Sequence, residues 1–135
     1  MNHATVLIVE DEDGIRELMR LFLVKKGYEI LEAEDGFEAL DVLSKENPDL
    51  ILLDIEMPGM SGLELCEKIR VRTKTPILFV SYRKELAYKI QGLEVGGDDY
   101  ITKPFDFTEL EARVKASKVL VVGAGGIGCR RSDCQ

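Results

Sequence analysis

Leu50-Ile51-Leu52-Leu53 is apolar at four successive positions and stops at Asp54. Four residues are too few for a helix. Apolar side chains on both faces of a pleated segment describe a strand covered on both sides, as in the middle of a parallel sheet with helices above and below. Upstream, Pro48 closes the preceding segment, because the residue ahead of a proline is pushed out of helical geometry. Downstream, Glu56-Met57-Pro58-Gly59-Met60 reads as a loop, and Ser61 is placed to cap a helix carrying Leu63, Cys66 and Ile69.

The same alternation extends in both directions. Thr5-Val-Leu-Ile-Val9 is a β-branched run that ends at the acidic cluster Glu10-Asp-Glu-Asp13. Ile15, Leu18, Met19, Phe22 and Leu23 then repeat at helical spacing as one apolar face, with Gly27 as the stop. Tyr28 to Ala33 alternates like a strand, Asp35-Gly36 is a turn signal, and Phe37, Ala39, Leu40 and Leu43 mark a second helix. Beyond the third unit, Thr75 to Val80 predicts a fourth strand ending at Ser81, and a weaker helix covers about 84–93. Gly96-Gly97 breaks the chain, Tyr100 to Thr102 is a short fifth strand before Lys103-Pro104, and Phe107 to about Ala116 is the fifth helix. Five βα units in succession predict one α/β domain, a doubly wound parallel sheet. Ligands of such sheets sit at the carboxyl ends of the strands.

The chain has 135 residues and a formal net charge of −7, with 45% hydrophobic and 32% charged residues. This suits a single globular core and excludes a disordered or collagen-like chain. No apolar run reaches the ~20 residues of a membrane helix, and the first residues do not form a signal peptide. The acidic balance argues against direct nucleic-acid binding, which needs clustered Lys and Arg. Three cysteines make no disulfide framework, so a reducing cytoplasm is the expected compartment.

The predicted strand ends collect Glu10 and Asp11, Asp54, Ser81 and Lys103. Carboxylates gathered in one cleft repel one another without a cation, and an oxygen-only set favours a hard ion such as Mg²⁺. Lys103 and Ser81 add a positive charge and a hydroxyl for an anion. Together these groups are equipped for phosphoryl transfer, with Asp54 as a possible nucleophile.

Leu7-Ile-Val-Glu-Asp-Glu12, Leu52-Leu-Asp-Ile-Glu-Met-Pro-Gly-Met-Ser-Gly62 and Gly97-Asp-Asp-Tyr-Ile-Thr-Lys-Pro-Phe105 carry a resemblance. The chain resembles the receiver domain of bacterial two-component response regulators over about 4–117. The resemblance implies a flavodoxin-like strand order 2-1-3-4-5, phosphorylation of Asp54 by a sensor histidine kinase, and conformational control of an output rather than enzymatic turnover. It implies Mg²⁺ on Glu10, Asp11, Asp54 and the backbone carbonyl of Glu56. It further implies Ser81 on the phosphoryl oxygen, Lys103 paired with it, Tyr100 as an aromatic switch, and a cis Lys103–Pro104 peptide. The segment from Asp98 to Val114 is most similar to receivers that precede a winged-helix DNA-binding domain. In that subfamily, dimers form through the fourth helix, fifth strand and fifth helix, here including Lys89, Asp98 and Arg113. Residues two beyond the phosphoacceptor and the switch hydroxyl, Glu56 and Arg83, are placed to pair across the entrance. Tyr82 departs from the small residue that commonly follows the hydroxyl, and its bulk beside that pair is expected to narrow access to the phosphoryl site or redirect the Ser81 loop.

Two other readings stand beside this one. A Mg²⁺-dependent aspartyl-phosphate phosphatase or phosphotransferase would usually carry a second Asp two residues after the nucleophile, where this chain has Glu56, and a substrate-covering insertion. The other reading comes from the end of the chain, where Gly123-x-Gly125-x-x-Gly128 follows the strand-like Val119 to Val122. That segment resembles the opening of the nucleotide-binding fold of E1-like adenylating enzymes, without the downstream helix, strand and acidic residue that the motif requires. Residues 118–135 are therefore expected to be a flexible or foreign tail that shortens the fifth helix. His3 reads as inert, Cys66 as a core residue, and Cys129 and Cys134 as non-ligands.

Overall fold

The computed structural model describes residues 4–122, with side chains to Ser117. The order is β1 (Thr5–Val9), α1 (Asp13–Lys25), β2 (Glu29–Ala33), α2 (Gly36–Lys45), β3 (Leu50–Leu53), α3 (Gly62–Arg72), β4 (Ile77–Ser81), α4 (Leu86–Glu94), β5 (Asp99–Thr102) and α5 (Phe107–Val122). All strand pairs are parallel, in the order β2-β1-β3-β4-β5. This is the expected doubly wound sheet.

Strand side chains alternate between faces, and the core divides accordingly. Leu7, Val9, Ile51, Leu53, Ile77 and Phe79 pack on the side of Ala39, Leu65, Cys66 and Ile69 from α2 and α3. Val6, Ile8, Leu50, Leu52, Leu78, Val80 and Ile101 pack on the other side with Met19 and Leu23 of α1 and Leu110 and Val114 of α5. β3 is buried at all four positions because it lies between β1 and β4 under both helical layers. Ser61 caps α3, its hydroxyl accepting from the Glu64 N–H, and Asp35 caps α2 through Glu38.

Three details differ from the sequence expectations. Leu18, placed on the buried face of α1, is 56% exposed, because α1 crosses the sheet along Met19 and Leu23. The only buried residue of α4 is Gly92, set against the Phe79 ring, while Leu86, Ile90 and Leu93 face outward. The fifth helix is not shortened at Ser117; it continues through Val119–Val122 to Val122. Once a helix is nucleated, each further residue adds a hydrogen bond, whereas a short strand with no neighbouring strand has nothing to pair with. His3, Gly123, Gly125, Gly128, Cys129 and Cys134 lie outside the described residues.

Candidate functional site

Parallel register sets the site. Val9 of β1 is level with Leu53 of β3, so the residues that follow each strand, Glu10 and Asp54, emerge side by side. The Asp54 N–H still donates to the Val9 carbonyl at 3.1 Å, and the Lys103 N–H donates to the Ser81 carbonyl at 2.7 Å. The loop after Asp54 turns back sharply. Gly59 has φ +83°, in the region that favours glycine. At Gly62 a Cβ would strike the Asp54 carbonyl oxygen, so glycine there lets α3 start directly against the loop that follows Asp54.

One carboxylate oxygen from each of Glu10, Asp11 and Asp54 lies within 4.8 Å of the others. Lys103 closes the cluster: its Nζ donates to Glu10 Oε1 at 2.9 Å and Asp54 Oδ2 at 3.4 Å, and lies 3.6 Å from Glu12 Oε1. Glu10, Asp54 and Lys103 are all buried. Burial first, and then the Glu10 charge, pushes the Asp54 carboxyl up to about 7, against the pull of Lys103. Burial draws the Lys103 ammonium down, but its bonds to Glu10 and the Asp54 charge outweigh burial and raise it. A cleft that holds a carboxylate so reluctantly charged is suited to a divalent cation, and its donors are oxygens of the kind that Mg²⁺ prefers.

Ser81 is fully buried at the end of β4, where its hydroxyl accepts from the Arg83 N–H at 3.1 Å. Tyr100 is turned inward, and its hydroxyl donates to the Arg83 carbonyl at 2.8 Å. The Arg83 guanidinium pairs with Glu56, as the sequence suggested, and lies 5.1 Å from the Tyr88 ring centroid. The Lys103–Pro104 peptide is cis.

The family model for the response regulator receiver domain matches residues 6–115. This chain belongs to that family. The receiver is 47% identical over 115 residues to the transcriptional regulatory protein ResD of Bacillus subtilis, an alignment covering 85% of the chain and 48% of ResD. It therefore spans about half the length of that curated relative. Among solved structures, a two-component response regulator from Clostridium difficile superposes with a TM-score of 0.83 at 34% identity, covering 84% of the receiver and 94% of that chain. A response regulator from Chloroflexus aurantiacus superposes at 0.81 with 38% identity, covering 85% and 97%.

The receiver brings together Glu10, Asp11, Asp54 and Lys103 as its sequence suggested, with Ser81 and Tyr100 linked through Arg83. Two neighbours were not foreseen. Glu12 approaches Lys103, and the Tyr82 ring lies over the Lys103 ammonium, 4.6 Å from Nζ to its centroid. The sequence marks Tyr82 as added bulk at the entrance, without its seat over Lys103. Asp98, expected on an association face, accepts from Arg70 and the Ile77 N–H within the fold, and Arg113 pairs with Asp99 and Glu109. Among the described residues, no helix is long and apolar enough to cross a membrane.

Proposed function

We propose that Asp54 accepts a phosphoryl group from the phosphohistidine of a sensor kinase, and that the resulting change at Ser81 and Tyr100 controls an output. The observation that carries this reading is the buried Lys103 ammonium held between Glu10 and Asp54 beside Asp11. An Asp54 oxygen attacks phosphorus while the bond to the donor breaks opposite it. Lys103, already within reach of Asp54, pairs with the transferred group, and the Ser81 hydroxyl turns toward it. Glu10, Asp11, Asp54 and the Glu56 carbonyl would hold Mg²⁺, which neutralises charge on the transferring oxygens. Movement of Ser81 alters the Arg83 backbone that Tyr100 grips, joining the chemistry to the α4 surface.

On this reading the domain catalyses only its own phosphorylation and dephosphorylation, in the cytoplasm. The signalling unit starts at residue 4 and takes in α5 to Val122, and any contact with nucleic acid belongs to another part of the system. The face of α4, β5 and α5 is suited to self-association, because Leu86, Ile90 and Leu93 are exposed beside the Arg113–Asp99 pair. Incubation with acetyl phosphate and Mg²⁺, followed by intact-mass measurement, tests the central claim. Labelling is expected in the parent chain and absent from Asp54→Asn. Labelling that survives in the variant would place the nucleophile elsewhere.

A further inference from the structure

The aromatic ring beside the site has no part in the proposed steps. Tyr82 lies over Lys103, which is only 2% exposed, yet Tyr82 itself remains 48% exposed. Its ring separates two hollows. On one side is a charged cleft of about 350 Å³ shared with Glu56, Arg83, Lys84 and Glu85. On the other is an apolar pocket of about 150 Å³ that includes Leu18, Met19, Phe105 and Phe107. Glu10, Asp54 and Lys103 are buried, whereas Glu56 and Arg83, which pair with each other in the charged cleft, are exposed at their side chains. Tyr82 therefore covers the lysine that bonds Asp54 and at the same time lines the cleft beside it.

In-line transfer puts the leaving group opposite the attacking Asp54 oxygen, on the outward side of the phosphorus. The charged cleft lies between the loop after Asp54, which supplies Glu56, and the loop after Ser81, and the half-exposed Tyr82 ring is the one aromatic side chain lining it. We infer that Tyr82 selects phosphoryl donors by the shape of their leaving group, favouring a planar aromatic one that stacks on its ring. The inference rests on the reading of Asp54 as phosphoacceptor and adds to it a specificity-determining residue. Aromatic pairs gain from offset or edge contact at centroid separations of roughly 4.5–7 Å. An ammonia leaving group has no ring to stack and gains nothing from Tyr82. The contact acts while the leaving group is present, so it changes donor preference without altering the fate of the phosphorylated chain.

Two small donors isolate this effect. In phosphoimidazole and phosphoramidate alike, an Asp54 oxygen forms the O–P bond as the P–N bond breaks. The electron pair stays on nitrogen, which takes a proton from solvent, releasing imidazole or ammonia. Phosphorylation rates with each donor at fixed Mg²⁺ are compared in the full chain, Tyr82→Phe and Tyr82→Leu. The leucine variant keeps apolar bulk at a half-exposed position but has no aromatic face, and unfolding midpoints check that all three chains are folded.

The phosphoimidazole-to-phosphoramidate rate ratio is expected to hold in Tyr82→Phe. In Tyr82→Leu it should fall by about two- to tenfold, the rate equivalent of one aromatic pair. An equal change with both donors would make Tyr82 a plain steric or structural element and overturn the inference. So would an unchanged ratio in the leucine variant, or a ratio lost in the phenylalanine variant. Failure of the parent chain to be labelled on Asp54 by either donor would instead overturn the phosphoacceptor reading on which the inference stands.

Discussion

Replacing Asp54 by Asn is expected to stabilise the cation-free fold, and to do so only above acidic pH. The Asp54 carboxyl ordinarily titrates at 3.8 and in the fold at about 7, chiefly because it is buried and then because Glu10 is beside it. Between those values the folded chain holds a proton that the unfolded chain has released. Stability of the parent therefore falls as pH rises from about 4 to about 7 and stays lowered above that. Three pH units at about 1.4 kcal/mol each give an upper bound of ~4 kcal/mol. An asparagine carries no charge to desolvate, and its side-chain oxygen can still accept from the Glu56 N–H as Asp54 does at 3.2 Å. It gives up part of the attraction to Lys103, which keeps Glu10 as a partner. A net gain of about 1–3 kcal/mol at pH 8 is expected within that bound. Urea unfolding from pH 4.5 to 8.5, in chelator and again with Mg²⁺, is the assay. The two chains should converge at the acid end and separate towards pH 8, and Mg²⁺ should narrow the separation by stabilising the parent more. A variant no more stable than the parent at pH 8 in chelator, or a gap that ignores pH, would refute the reasoning.

Breaking the Glu56–Arg83 pair with Glu56→Asn and Arg83→Ala should speed loss of the phosphoryl group about tenfold, equivalent to ~1.4 kcal/mol of barrier, as measured by phosphate release at fixed Mg²⁺. The pair is exposed and screened by solvent, so the same substitutions should leave the unfolding midpoint nearly unchanged. Gly62→Ala should destabilise by at least ~1–3 kcal/mol in denaturant, because its Cβ meets the Asp54 backbone rather than a movable side chain. Ser61→Ala should cost about 1 kcal/mol through loss of the α3 cap, measured in the same way. Removing residues 123–135 leaves α5 whole to Val122 and should leave beryllofluoride-dependent association unchanged in sedimentation.

Local sequence was most informative where burial and periodicity coincide. Leu50–Leu53 is apolar at every position because both of its faces are covered, so its strand and its central place could be read together. Glu10, Asp54, Ser81 and Lys103 could be read as one site because parallel strands bring their carboxyl ends to one rim. The ring of Tyr82 over Lys103 and the reach of Glu12 could not, since they depend on how loops after different strands lean together. α4 was weak in the sequence because most of its apolar residues face outward, which blurs the usual sign of a packed helix. The end of α5 does not read as helix in the sequence because β-branched residues suggest a strand even where an established helix simply carries them along.

The way α4 rests on Phe79 has a mechanical consequence. A Cβ at Gly92 would lie 3.0 Å from the Phe79 ring, so the helix comes down onto the sheet where it has no side chain. Its large apolar side chains Leu86, Ile90 and Leu93 point away, and nothing bulky is keyed into the layer beneath. Shifting such a helix by a fraction of a turn opens no large hole and unlocks no interdigitated ridge, unlike a shift of α1, whose Met19 and Leu23 are sunk in the core. The sheet with α1, α2, α3 and α5 then serves as a stiff chassis, and α4 as a slide riding on it. On the proposed reading, a small pull on the Arg83 loop at one end would then travel along the whole helix as movement instead of being absorbed as strain.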